Sequence, residues 1–130
     1  MSFPDDIKTL VLSIPGLEET GMYRVRLPRR VTLPAISWNR FYTETGISHS
    51  GATGLDHEYA EFACCGVSEE DAEELARLLS LAMHGYRGAM GEGFCHFARV
   101  RQVRADSQVD LGQFYRIVPV DIYYREGDGS

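Results

Sequence analysis

One stretch of this chain, Gly66 to Gly88, keeps a helical rhythm of apolar and polar positions over several turns. Within it Ala72, Leu75, Ala76, Leu78, Leu79, Ala82 and Met83 recur at spacings of three and four and form a single apolar stripe. Glu69, Glu70, Glu73, Glu74, Arg77 and Ser80 fall mostly off that stripe and can stay in water. Ser68 is placed to cap the first turn, and Asp71, three residues on, acts as a short capping-box acid. Acids in the first turn complement the positive end of the helix dipole. Gly85 or Gly88 can end the helix by turning left-handed. The predicted helix, Ser68 to Gly85, is about 26 Å long at about 1.5 Å per residue. Its stripe needs a sheet to lie on.

Elsewhere the pattern is mostly of strands. After a short N-terminal helix predicted from the capping Ser2, Pro4, Asp5 and Asp6, with Ile7, Leu10, Val11 and Ile14 on one face, Pro15-Gly16 breaks the chain. Residues 17 to 33 show no period, and Arg24, Arg26, Arg29 and Arg30 make a small basic cluster there, read as a solvated connection. Pro34 to Glu44 is strand-like, with Ile36, Trp38 and Tyr42 expected on one face. Leu55 to Cys65 is a second strand, in which Ala60, Phe62 and Cys64 alternate with Tyr59, Glu61 and Ala63. Between them lies a glycine-rich tip, Gly46 to Gly54. Residues 94 to 105 form a third strand with a basic end, and Phe114 to Arg125 a fourth, with Val118, Val120, Ile122 and Tyr124 inward. Pro119 has no backbone donor, so one side of that strand must be free there or bulged. Residues 106 to 113 and the tail from Glu126 read as loops. The expected fold is α+β: a four-stranded antiparallel sheet of two long hairpins, packed by the central helix, plus the short N-terminal helix. Strands this long overhang one helix and expose edges that invite another subunit.

Length and composition narrow this picture. The 130 residues suit one domain, and 44% hydrophobic with 25% charged residues is ordinary for a globular protein. No apolar run reaches the length of about 20 residues that a membrane span needs. The first residues lack the layout of a secretion signal, which sets the expectation of a cytoplasmic protein. Three cysteines, two of them adjacent, make no disulfide framework. A net charge of -6 argues against wrapping nucleic acid as the main task.

No chemical motif emerges. Cys64-Cys65 and Cys95-His96 could suggest a metal site, but neighbours on a strand face opposite ways, so each pair offers one ligand to a given centre. Ser48, His49, Ser50, Asp56 and His57 hold the residue types of a triad without a nucleophile elbow. Gly46, Gly51 and Gly54, like Gly91 and Gly93, match no phosphate-binding or dinucleotide fingerprint. The expectation is a non-enzyme that takes no cofactor and no metal. Arg99 and Arg101 share a face of the third strand and Arg104 follows, either a solvated face or a docking surface.

Several short pieces in order carry a family resemblance: Leu33-Pro34-Ala35-Ile36-Ser37-Trp38, the tip Ser50-Gly51-Ala52-Thr53-Gly54-Leu55, the helix containing Asp71-Ala72-Glu73-Glu74-Leu75-Ala76, the helix end His84-Gly85-Tyr86-Arg87-Gly88, and Phe114 through Ile122. Across residues 33 to 125 the chain resembles the tail-completion, or tail-terminator, proteins of long-tailed bacteriophages and related gene transfer particles. The resemblance implies a virion protein, made in a host cytoplasm, that caps the head-proximal end of the tail tube as a hexameric ring. Its implied partners are copies of itself, the tail tube protein and a head-tail connector or neck protein. The resemblance further implies that DNA crosses the ring without specific binding and that no membrane is involved. A head-side neck or adaptor role stays open, as does a small-ligand-binding or enzymatic α+β domain. The expected assembly residues are Ser48, His49, Ser50, Gly51 and Thr53 in the tip, with Arg99, Arg101 and Arg104 on the basic strand.

Overall fold

A computed structural model of the protein describes residues 3–25, 27, 31–48, 51–105 and 114–125. It is mixed α+β, with helices α1 (Phe3–Leu12) and α2 (Glu69–Met83). The strands are β1 (Gly21–Arg24), β2 (Ala35–Ser48), β3 (Gly51–Gly66), β4 (Gly88–Met90), β5 (Gly93–Val100), β6 (Arg104–Ala105) and β7 (Phe114–Arg125). The expected four strands are therefore seven, in the order β1-β2-β3-β7-β5-β4, with β6 also on β7. Two of them, β1 and β4, escaped the sequence pattern because they are too short to show a period. One, β1, also runs parallel to β2, so the sheet is not wholly antiparallel. The third expected strand, residues 94 to 105, is interrupted: β5 stops at Val100 and β6 resumes at Arg104.

Pro119 accounts for that interruption. Its carbonyl accepts from the Arg101 N–H at 2.8 Å, so its nitrogen faces the same side of the strand. There β5 has ended with Val100 opposite Val120, and β6 begins with Arg104 opposite Ile117. The missing donor thus falls on the gap, while on the other side Pro119 stays in register with Glu61 of β3.

Helix α2 forms as its stripe dictates. Ala72, Leu75, Ala76, Leu79 and Met83 are buried, with Leu78 and Ala82 partly so. The Ser68 hydroxyl accepts from the Asp71 N–H at 3.1 Å, and the Asp71 carboxylate reaches back to the Val67 N–H at 3.1 Å, one residue earlier than a standard capping box. Gly85, at φ +78, turns the chain out of the helix and donates its N–H to the Ala98 carbonyl of β5. Both helices lie on one face of the sheet. Phe3, Ile7, Leu10 and Val11 of α1 join the α2 stripe and the inward residues Ile36, Trp38, Ala60, Phe62, Val118, Val120, Ile122 and Tyr124 in one core cluster. Phe3 sets its ring edge-on to Trp38 and Tyr124, and Trp38 stacks on Phe62. The core is capped by polar groups: Glu58, 1% exposed, is held by Arg40 at 2.5 and 2.8 Å and by the Thr43 hydroxyl at 2.5 Å. Buried Asp6 likewise accepts from the Tyr124 hydroxyl and from the Glu92 N–H.

Of the tip expected over Gly46 to Gly54, the described residues, 46–48 and 51–54, are strand instead. Ile47 pairs with Ala52 and Ser48 with Gly51, so β2 and β3 extend as a ribbon past the point where β7 stops pairing with β3, at Asp56 opposite Tyr124. The reason is backbone economy: paired strands satisfy donors and acceptors that a nine-residue loop would leave to water. Residues 49 and 50 lie outside the described residues, as do 106 to 113, 126 to 130, and Arg26, Arg29 and Arg30 of the basic cluster.

Candidate functional site

The face of the sheet turned away from α1 and α2 is where exposed aromatic and charged side chains gather. Alternation alone sends His57, Tyr59 and Glu61 of β3 there, and Asp121 and Tyr123 of β7. Two bulges bring the rest. In β2 the register shifts between Arg40 and Tyr42, leaving Phe41 as an extra residue. Tyr42, expected beside Ile36 and Trp38, is thereby moved to the opposite face and stacks on Tyr59 at 5.4 Å. In β5 the shift falls between Cys95 and Phe97. Without the extra His96, strict alternation would aim Phe97 and Arg99 at the core. With it, Cys95 is buried beside Tyr124 while Phe97 lies opposite Tyr123 and Arg99 opposite Asp121. Periodicity read straight through a bulge gives the wrong face for everything beyond it.

Asp121 anchors the centre of this surface. Although 4% exposed, it accepts two hydrogen bonds from the Arg101 guanidinium, at 2.6 and 2.8 Å, and lies 2.7 Å from His57 Nε2. Burial works to raise its pKa, but Arg101 and His57 outweigh burial and hold the carboxyl below its ordinary range. The pairing with Asp121 in turn pushes the Arg101 guanidinium further up. The guanidinium also sits over the Tyr59 ring, 4.5 Å from its centroid. His57 stacks on Tyr123 at 4.6 Å and meets the edge of Tyr42. Arg104 bridges to Glu61 at 2.8 Å, and Glu61 also accepts from the Tyr59 hydroxyl. The result is a pre-ordered floor of rings and ion pairs, from which Phe41, Tyr42, Phe97 and Tyr123 stand 37–56% exposed.

The arginines singled out in the sequence are thus brought together, with different duties. Arg101 and Arg104 hold the floor in place, whereas Arg99 is exposed and has no partner among the described residues. The tip residues Ser48, Gly51 and Thr53 lie on the β2–β3 ribbon, while His49 and Ser50 lie outside the described residues. His57 and Asp56, which with Ser48, His49 and Ser50 hold the residue types of a triad, do not form its base-and-orienter pair: His57 Nε2 is engaged by Asp121 from β7 instead. The partners that sequence reasoning missed are Asp121, Tyr123, Tyr42 and Phe97. The first two were legible as outward positions of β7; the other two were hidden by the bulges.

The cysteines follow the alternation of their strands. Cys64 enters the core, where burial pushes its thiol up to about 12, and burial likewise raises Cys95 to about 11. Cys65 is buried too, and its thiol is raised mainly by that burial. Among the described residues no group of three or more His, Cys, Asp or Glu is placed to hold a metal ion, and no helix is long and apolar enough to cross a membrane. Between α2 and the β6–β7 edge of the sheet runs a groove of about 540 Å³ lined by Glu70, Glu73, Arg77, Ser80, Val103 and Arg116. The chemistry of the open face, where Arg101 answers Asp121, Arg104 answers Glu61 and Arg99 has no partner among the described residues, is that of a contact surface: rigid aromatic rings and arginine, the side chains enriched at protein interfaces.

No protein-family model matches the chain, and no curated protein does. Among solved structures, a chain of the virion of a native gene transfer agent particle shares its fold, with a TM-score of 0.66 over 94% of this chain and 90% of that one. At 11% sequence identity the likeness establishes the fold.

Proposed function

We propose that this chain is a structural protein of a phage-like particle, forming a hexameric ring on the head-proximal end of a tail tube. The ring ends tube growth and offers the surface to which the head is joined. The observation that carries the reading is the nearly end-to-end fold match to a chain of a gene transfer agent virion. The molecule's surfaces agree with it. A ribbon of β2 and β3 projects beyond the sheet, and an aromatic face is ordered before any partner arrives, which lowers the entropy lost on binding. On this reading the role is mechanical rather than catalytic, and Asp121 and His57 build a surface instead of moving protons. The charge of -6 lets DNA pass the ring without adhering, because phosphate contacts are made by cations.

The test is negative-stain imaging of the purified protein mixed with tail tubes. A ring at one end of each tube, and tubes of uniform length when the protein is present during polymerisation, are expected. Binding along the tube wall, or none, overturns the proposal. Rings found on head portals and absent from tubes assign the chain to the head side of the joint.

A further inference from the structure

Two patches on opposite sides of the molecule are complementary. One is the open sheet face, where Arg99 has no partner among the described residues and Phe97 and Tyr123 are exposed beside it. The other is the solvent side of α2. Its first turn presents Glu69 and Glu70, exposed and without a charge partner among the described residues, and Val67 just before them is 64% exposed. Further along, Leu81 is 68% exposed at the wall of a second pocket, shared with His84, Val100 and Val103. Each patch therefore combines exposed apolar side chains with unanswered charge, and the charges are of opposite sign.

Their placement decides what kind of contact they can make. Helix α2 packs on the inner face of the sheet, so its solvent side and the open face of the sheet point away from each other. A two-fold dimer joins a surface to itself, which would set Arg99 near Arg99 or acid near acid. Only a head-to-tail arrangement lets every copy use both patches.

We infer that the open face around Phe97, Arg99 and Tyr123 docks on the first turn of α2 (Val67, Glu69, Glu70) of a second copy of this chain. This rests on the reading of the chain as a self-assembling structural protein and names the contact that repeats. The apolar residues supply the buried centre, and Arg99 against Glu69 and Glu70 sets register and excludes the self-paired alternative. Arg101 takes no direct part; it keeps Tyr59 and Asp121 in place beneath the contact.

Sedimentation velocity over a range of concentrations, without tail tubes, tests it by charge exchange. Arg99→Glu alone and the pair E69R/E70R alone should each raise the apparent dissociation constant about tenfold or more. The chain carrying all three substitutions should recover assembly, and so should an equimolar mixture of the two weakened variants, since each then offers a patch the other lacks. E69Q/E70Q, which removes charge without reversing it, should fall between. Circular dichroism confirms that the exposed substitutions leave the fold intact. Assembly of the wild type that ignores the substitutions overturns this contact while leaving the particle role standing. Weakening without recovery also overturns it, because the open face then meets something other than α2. A wild type that stays monomeric at millimolar concentration overturns it too. Charge-dependent rings that never engage tubes or portals leave the contact standing and overturn the role.

Discussion

Asp121 is a charged residue on the side of the sheet that no helix covers, yet almost no solvent reaches it. Its stability contribution has a definite sign. Burial opposes its ionised form, but Arg101 and His57 outweigh that and keep the native pKa depressed. A depressed carboxyl contributes fully above its unfolded pKa of about 3.9, and the contribution is lost as pH falls through the lower native value. Urea midpoints of the wild type should therefore drop more steeply below about pH 4 than those of Asp121→Asn. Equal slopes would mean the Arg101 pairing is not formed in solution. Gly93 is a residue of the opposite kind, defined by what it lacks. A Cβ there would overlap the Tyr124 ring and approach the Asp6 carboxylate, whose mutual hydrogen bond ties β7 to α1. Gly93→Ala is expected to destabilise by about 1–3 kcal/mol, the usual cost of overpacking, read as a lowered unfolding midpoint. An unchanged midpoint would show that Tyr124 can move aside freely.

At the scale of elements, α2 depends on its stripe more than on its caps. Leu79 is wholly buried between the sheet and the neighbouring turns, so Leu79→Ala should cost about 2–5 kcal/mol by chemical denaturation. A loss under about 1 kcal/mol would mean that the stripe closes over the cavity. The β2–β3 ribbon is the contrasting element. Beyond Thr45 opposite Asp56 the backbone pairing among the described residues is between these two strands alone. Replacing residues 47 to 53 with an Asn-Gly turn should leave stability within about 0.5 kcal/mol of the wild type, as expected for a change remote from the core. On the proposed function the same variant should yield tails of irregular length or tails that fail to join heads. Normal particles from it would remove the ribbon, and with it Ser48, Gly51 and Thr53, from any part in assembly.

For the molecule as a whole, α1, α2 and the inner face of the sheet share one apolar cluster. Neither helix has a core of its own, and α1 is held both by Phe3 against Trp38 and Tyr124 and by Asp6. One cooperative transition is expected, with circular dichroism and the fluorescence of the single tryptophan, Trp38, tracing coincident curves in urea. Separate transitions would mean that α1 or the outer strands unfold independently. The two surfaces of this single unit differ in kind: a helical side with exposed acids, and a sheet side with rings and arginines. That asymmetry is a property of neither layer alone.

The sequence by itself determined the class of the fold, the span of α2 and its stripe, the full extent of β7 with its inward residues, and the alternation of β3. It did so because these segments are long, and a period repeated over many residues admits only one burial pattern. It also located the consequence of Pro119, since a missing donor is a local chemical fact. Tertiary structure alone decided the rest. The strands β1 and β4 exist because longer neighbours offer them free backbone groups, and no periodicity marks them. The ribbon stands where a glycine-rich loop was expected because each strand satisfies the other's hydrogen bonds. Above all, the extra residues Phe41 and His96 reversed the facing of Tyr42, Phe97 and Arg99. A strand's period fixes which residues face together, but which way they face depends on register with a partner strand, and register is set only when the sheet forms.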